Sequence, residues 1–122
     1  MNMFRDIAEF HVKFRLKPPT DPDEIKELLD FRTKFMEEEL EEFKNATTSA
    51  DRFDALLDLV YVAMGTAFLL KYPWDYGWIK VHEANLKKVR ARSASDSKRG
   101  SRFDVVKPIG WKAPSFAELF DE

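Results

Sequence analysis

The sequence contains no cysteine, which excludes a disulfide framework and a zinc–thiolate centre. It has no large excess of either charge. Charged residues make up 34% and the formal net charge is -2, so the whole molecule lacks the basic surplus of a general nucleic-acid binder and the profile of an acidic tail. A long apolar run is also missing: the longest, Leu56 to Leu70, is interrupted by Asp58, Gly65 and Thr66 and is too short to span a bilayer. No signal peptide is visible. A soluble, cytoplasmic protein without a membrane partner is the expectation, and nucleic acid is not expected as its ligand. At 122 residues the chain should form one domain, 1–122, large enough for a core but smaller than most enzymes that close a deep cleft alone. Oligomerisation would supply the missing walls.

What is present is helical periodicity. Residues Met3 to Leu16 read as an amphipathic helix that stops before Pro18-Pro19. A second helix starts at a strong signal, with Thr20 or Asp21 as cap, Pro22 at the first helical position, and Asp23 and Glu24 complementing the positive helix end. It runs to about Asn45. After a polar turn at Ala46 to Ala50, with Ser49 or Asp51 as cap, a third helix continues to about Lys71 and stops at Tyr72-Pro73. Gly65 within it marks close helix contact or the approach of a ligand. A fourth helix is expected over Trp78 to Arg92, its apolar face holding Trp78, Val81, Leu86 and Val89 with His82 and Asn85 in the same arc. The helical core thus covers about residues 3–92. Ser93 to Glu122 reads as an irregular tail with a short helical turn near Phe116 to Phe120, and there is no internal repeat.

The segment FMEEELEEFKN, Phe35 to Asn45, carries five glutamates that are not equivalent. On a wheel of 100° per residue, the apolar positions Ile25, Leu28, Leu29, Phe35, Met36, Leu40 and Phe43 form one stripe of roughly 140°. Glu39 lies inside that stripe and Glu42 at its edge, whereas Glu37, Glu38 and Glu41 point to the opposite side. A carboxylate aimed at the core must be protonated, paired with a cation or coordinated to a metal. In the third helix Asp54 and Asp58 share a face, and the surrounding residues (Phe53, Leu56, Leu57, Leu59, Val60, Val62, Ala63, Met64) are apolar nearly all round, the mark of an interior helix. Two inward carboxylate pairs with no histidine or cysteine among them suit a hard divalent cation, magnesium or manganese. The competing arrangement pairs Glu39 with Arg32, which projects into the same stripe, and Asp54 with Arg52 or a lysine.

The segments EELEEF (Glu38 to Phe43) and DALLDLVYVAMGTA (Asp54 to Ala67) resemble the all-α nucleoside triphosphate pyrophosphohydrolases, the MazG-like and phosphoribosyl-ATP pyrophosphohydrolase-like group. Its signature is Glu-x-x-Glu on one helix and Glu-x-x-Asp on the next. The first pair falls on Glu39 and Glu42; in the second, Asp58 matches, but Ala55 stands where the family has glutamate. Asp54, one residue earlier, is the candidate replacement. VHEANLKKV (Val81 to Val89) and VVKPIGWKAPSF (Val105 to Phe116) are similar to stretches of phage-type members. The resemblance implies an all-α, four-helix MazG-like bundle that works as a homodimer or homotetramer. It implies cleavage of a (d)NTP to (d)NMP and diphosphate, with attack at the α-phosphorus, on deoxynucleotides or modified nucleotides, dGTP or GTP first.

In that scheme Glu39, Glu42 and Asp58 are metal ligands, Asp54 is the fourth, and Glu38 with Glu39 serves catalysis, Glu38 either supporting a ligand or acting as the base that orients the attacking water. Lys87, Lys88, Arg90, Arg92, Lys98, Arg99, Arg102 and Lys107 crowd the last third of the chain. Asn85, Lys88, Lys98, Arg99 and Lys107 are the candidates for contacts to sugar and phosphates; a run of solvated cations would produce the same pattern. Trp78, Tyr61 and Trp111 can stack on a base or simply fill the core. Two other classes compete: a non-catalytic helical protein whose basic tail contacts nucleic acid or a protein partner, and a di-iron carboxylate bundle, disfavoured because its Glu-x-x-His pairs are absent.

Overall fold

Polar caps set the helix starts. In the computed structural model, which describes residues 1–120, Asn2 Oδ1 accepts the Arg5 amide at 3.0 Å and opens α1, Met3–Lys13. Asp21 Oδ1 accepts the Glu24 amide at 2.9 Å, while the Glu24 carboxylate reaches back to the amide and hydroxyl of Thr20, a reciprocal cap that opens α2, Pro22–Asn45. For α3, Ser49–Leu69, the cap is Thr48, whose Oγ1 accepts the Asp51 amide at 3.1 Å. This corrects the expectation of Ser49 or Asp51, since both lie inside the helix once Thr48 is extended.

The ends of α1 and α3 are built alike. Arg15 and Lys71 adopt left-handed backbone (φ 57° and 60°), and the amides one residue on, Leu16 and Tyr72, bond the carbonyls of His11 and Ala67 at 2.9 Å. These closures end α1 three residues and α3 about two residues earlier than expected, and no glycine marks them.

Two compact units result, Met1–Trp74 and Asp75–Glu122; Asp121 and Glu122, the end of the expected tail, lie outside the described residues. In the first unit α2 and α3 form a tight helical hairpin, and α1 packs on α3. Phe4 stacks on Trp74 and tilts against Phe68, and Phe10 meets Tyr61 edge-on. The centre is a polar knot. His11, on the buried face of α1, donates from Nδ1 to the Ile7 carbonyl at 2.7 Å, leaving Nε2 as acceptor for a long 3.5 Å contact from Arg32 Nη2 of α2. Both side chains are buried. Gly65 of α3 makes room for them, because a Cβ there would stand 3.1 Å from His11 Cε1 and 3.4 Å from Arg32 Nη1. The close contact expected at Gly65 is therefore between helices.

Burial along α3 departs from the expectation of an interior helix. Ala55, Val62, Met64, Ala67 and Leu69 are buried, but Phe53, Leu56, Leu57 and Val60 are exposed in the single chain. Only the second half of the helix has α1 to cover it.

α4 spans Trp74–Leu86, all but its first residue in the second unit, and starts and ends earlier than expected. The chain leaves the helix through tightened turns (Lys87 to Ala84, Lys88 to Asn85) because Val89–Arg90, β1, pairs antiparallel with Val105–Val106, β2. The tail is thus more ordered than an irregular segment. Trp111 is pinned by a 2.7 Å bond from its indole N–H to the Ala84 carbonyl, and a 3-10 turn occupies Ala117–Leu119. The face of α4 expected to be apolar and interior is exposed at Trp78, Val81 and Leu86, and Ala84 is its buried position. Among the described residues no helix is long and apolar enough to cross a membrane.

Gly65→Val is expected to force α1 off α3 and to destabilise the protein by about 1–3 kcal/mol, the range for overpacking. Urea unfolding reads the loss, and faster amide exchange confined to α1 locates it.

Candidate metal centre

Glu39 is four residues C-terminal to Phe35 and three to Met36, and that phase on α2 turns it toward α3. It is 9% exposed. Glu42, one turn on, and Asp58, on the facing side of α3, each bring a carboxylate oxygen to it, and one oxygen from each of the three lies within 4.8 Å of the others. Glu39 Oε2 is buried without a hydrogen-bond partner. Burial first, and then the charges of Glu42 and Asp58, push the Glu39 carboxyl above its usual range.

The competing pairings are not seen. Arg32 is held by His11 and by the rings of Phe31 and Phe35, at 5.5 and 5.7 Å from their centroids, and its own Nε is also partnerless. Among the described residues the ion pairs are Arg92–Asp96 and Arg99–Asp104, so neither Glu39 nor Asp54 is tied to a cation of the chain. A buried carboxylate with a free oxygen, flanked by two more and supplied with no counter-charge, fits a hard divalent cation bound by oxygen.

The remaining site candidates fall in several places. Asp54 is outside the group of three; it lines an adjoining open groove of about 700 Å³ with Glu38, Glu41, Glu42, Asn45, Ala46, Asp51 and Ala55. Ala55 is buried on that wall, so a methyl group occupies the turn of α3 preceding Asp58. Glu38 is exposed on the same groove. In the second unit, Lys88 and Lys107 converge on Trp111, their ammonium groups 5.1 and 5.2 Å from the ring centroid. Asn85 and Lys98 are exposed. Arg99 is engaged by Asp104 at 2.6 Å. His11 was not among the sequence candidates; its one available signal is that it follows Ile7 by four residues on the buried face of α1.

A raised carboxyl pKa makes the folded state hold a proton that the unfolded chain releases. Stability from this group is therefore lost as pH rises from the ordinary glutamate value through the raised one. In EDTA at neutral pH, Glu39→Gln should melt a few degrees above the parent, with the gap closing as pH falls below about 4.5. Manganese added at about 100 times its Kd should stabilise the parent by roughly 2.7 kcal/mol and leave the variant unmoved. Thermal melts across pH, with and without metal, check both.

No curated protein matches the chain. The sequence profile of the phosphoribosyl-ATP pyrophosphohydrolase family does, over residues 7–85, from α1 through nearly all of α4 and including the three converging carboxylates. That match takes in about two-thirds of the sequence, and the chain accordingly belongs to the phosphoribosyl-ATP pyrophosphohydrolase family, within the MazG-like all-α nucleotide pyrophosphohydrolases.

Proposed function

We propose that the chain is a magnesium- or manganese-dependent nucleoside triphosphate pyrophosphohydrolase that converts (d)NTP and water to (d)NMP and diphosphate, with dGTP, GTP or another deoxynucleotide as substrate. The observation that carries this reading is the partnerless, buried Glu39 oxygen at the meeting point of Glu42 and Asp58. Glu39, Glu42 and Asp58 would hold the cation, and Asp54, from the groove wall, would complete the set in place of the family glutamate missing at Ala55. When bound, a divalent cation supplies an acidified water and neutralises charge on phosphoryl oxygens.

The chain's own groups do the rest. Glu38, exposed on the groove beside Glu42, accepts the proton from water as it attacks the α-phosphorus, and diphosphate leaves. Lys88 and Lys107, gathered at Trp111, offer point charges for phosphate, as do Lys98 and the Arg99 donors that Asp104 does not use. Asn85 offers both a donor and an acceptor for a sugar hydroxyl. Phe53, Leu56, Leu57 and Val60 on α3 form an exposed apolar patch, the kind of surface that a partner covers, which supports a homodimer or homotetramer; the proposed location is the cytoplasm, the host's if the gene is a phage's.

Purified protein with magnesium or manganese should release diphosphate from at least one member of a panel of standard and modified (d)NTPs that also includes phosphoribosyl-ATP. Silence across that panel overturns the proposal. Glu39→Gln, Glu42→Gln and Asp58→Asn should each lower kcat at least about a hundredfold. Asp54→Asn should raise the metal concentration needed for half-maximal rate about tenfold, the scale for weakening one ligand.

Light scattering should give a mass of two or four chains, and Leu57→Lys with Val60→Lys should reduce it.

A further inference from the structure

The whole-chain charge conceals a segregation. Between residues 87 and 112 there are nine lysines and arginines against two aspartates. Both aspartates are consumed internally: Asp96 by Arg92, and Asp104 by Arg99 at 2.6 Å and by the Ser97 hydroxyl at 2.7 Å. The seven other cations have no carboxylate partner among the described residues.

This basic segment presents an aromatic side chain on a braced turn. Phe103 is 83% exposed. The backbone on either side of it is held: the Phe103 amide bonds Ser101 Oγ at 3.1 Å, the Asp104 amide bonds the Ser101 carbonyl, and the Ala91 amide bonds the Asp104 carbonyl at 2.9 Å. The Asp104 carboxylate also takes the Val105 amide at 2.8 Å, and Gly100, at φ +72°, turns the chain into this brace. The Arg102 guanidinium lies 4.8 Å from the Phe103 ring centroid. Asp104, held down at about 2 by Arg99 and then by Ser97, keeps its charge and so the brace at any physiological pH.

A mononucleotide needs one phosphate grip and one base contact. A short segment carrying seven cations without carboxylate partners, with a phenyl ring standing in water beside Arg102, suits a longer polyanion carrying flat bases. From this arrangement we infer that the 87–112 hairpin binds single-stranded nucleic acid, its cations following the phosphate backbone while Phe103, flanked by Arg102, stacks on a base. A duplex hides its base faces and offers charge alone, so it should bind less well. The segment belongs to the second unit and the acidic centre on α2 and α3 to the first; Lys88, Lys98 and Lys107 also serve the proposed hydrolysis, so the inference is tested at Phe103 and Arg102, which that reading does not use.

The test is fluorescence anisotropy of the full-length protein in EDTA, which silences metal chemistry, with a labelled twenty-nucleotide oligo-dT, the matching oligo-U, a duplex of the same length, and inorganic polyphosphate as competitor. Binding to either single strand should exceed binding to the duplex and weaken log-linearly with salt. Phe103→Ala should weaken it about tenfold, with the salt slope unchanged. Arg102→Gln should weaken it and lower the slope by about 0.7, one phosphate contact on a single strand. Both residues are exposed, and an unchanged far-UV spectrum verifies the fold. The inference is overturned if the parent fails to bind either strand at 50 mM salt and about 100 µM protein. Equal binding of Phe103→Ala and the parent overturns it too, as does polyphosphate displacing the strand as well as unlabelled oligo-dT does.

Discussion

Three carboxylates brought within 4.8 Å, one of them out of water, repel each other. Folding must overcome that repulsion, and everything else in the first unit bears on it. The α2–α3 hairpin provides the apolar packing that brings Glu39 opposite Asp58, and the reciprocal cap at Thr20 and Glu24 with the Thr48 cap fix where the two long helices begin. Because the site is unfavourable for the protein alone, a divalent cation held there would offset the penalty.

Rigidity around the site comes from a different kind of contact. His11, Arg32 and Gly65 join three helices at one point, and each requires the other two. A neutral His11 that donates to Ile7 has one lone pair left, and Arg32 takes it. Gly65 gives up the helix propensity of alanine, worth up to about 1 kcal/mol, so that both can lie flat against α3. The knot holds α1 over the second half of α3, which is why, apart from Ala55, the buried positions of that helix run from Val62 onward.

The helix positions and the phase of Glu39 were legible because both follow from a 3.6-residue period that local sequence imposes. Arg32 entering the same stripe was legible for the same reason, but its partner was not: pairing with Glu39 and pairing with His11 satisfy the pattern equally until the direction of each side chain is known. The early stops at Lys13 and Leu69 carry no sequence signal because Arg15 and Lys71, not glycine, take the left-handed turn. On α4 the wheel found a real apolar face at Trp78, Val81 and Leu86, yet within one chain nothing covers it fully. Periodicity reports which side is apolar and not what lies against it. The β1–β2 pair and the Asp104 brace depend on contacts across some fifteen residues, beyond the reach of a local pattern.

The two buried charges of α2 show why the centre stays available to a metal. Arg32 and Glu39 share a face seven residues apart, about 10 Å along the axis, and side chains on a helix lean toward its N-terminus. Both lean the same way, so the offset between them persists; Arg32 meets His11 of α1, while the half-buried Phe35 and Met36 lie between it and Glu39. Had the arginine stood one turn closer, at Phe35 or Met36, the cheapest fold would have joined the two as an internal ion pair and left the carboxylate with nothing to offer. His11 strengthens that separation by giving the guanidinium a neutral acceptor, so its burial is tolerated without a carboxylate. The spacing of one cation from one anion along a single helix thus keeps a reactive acidic site from neutralising itself.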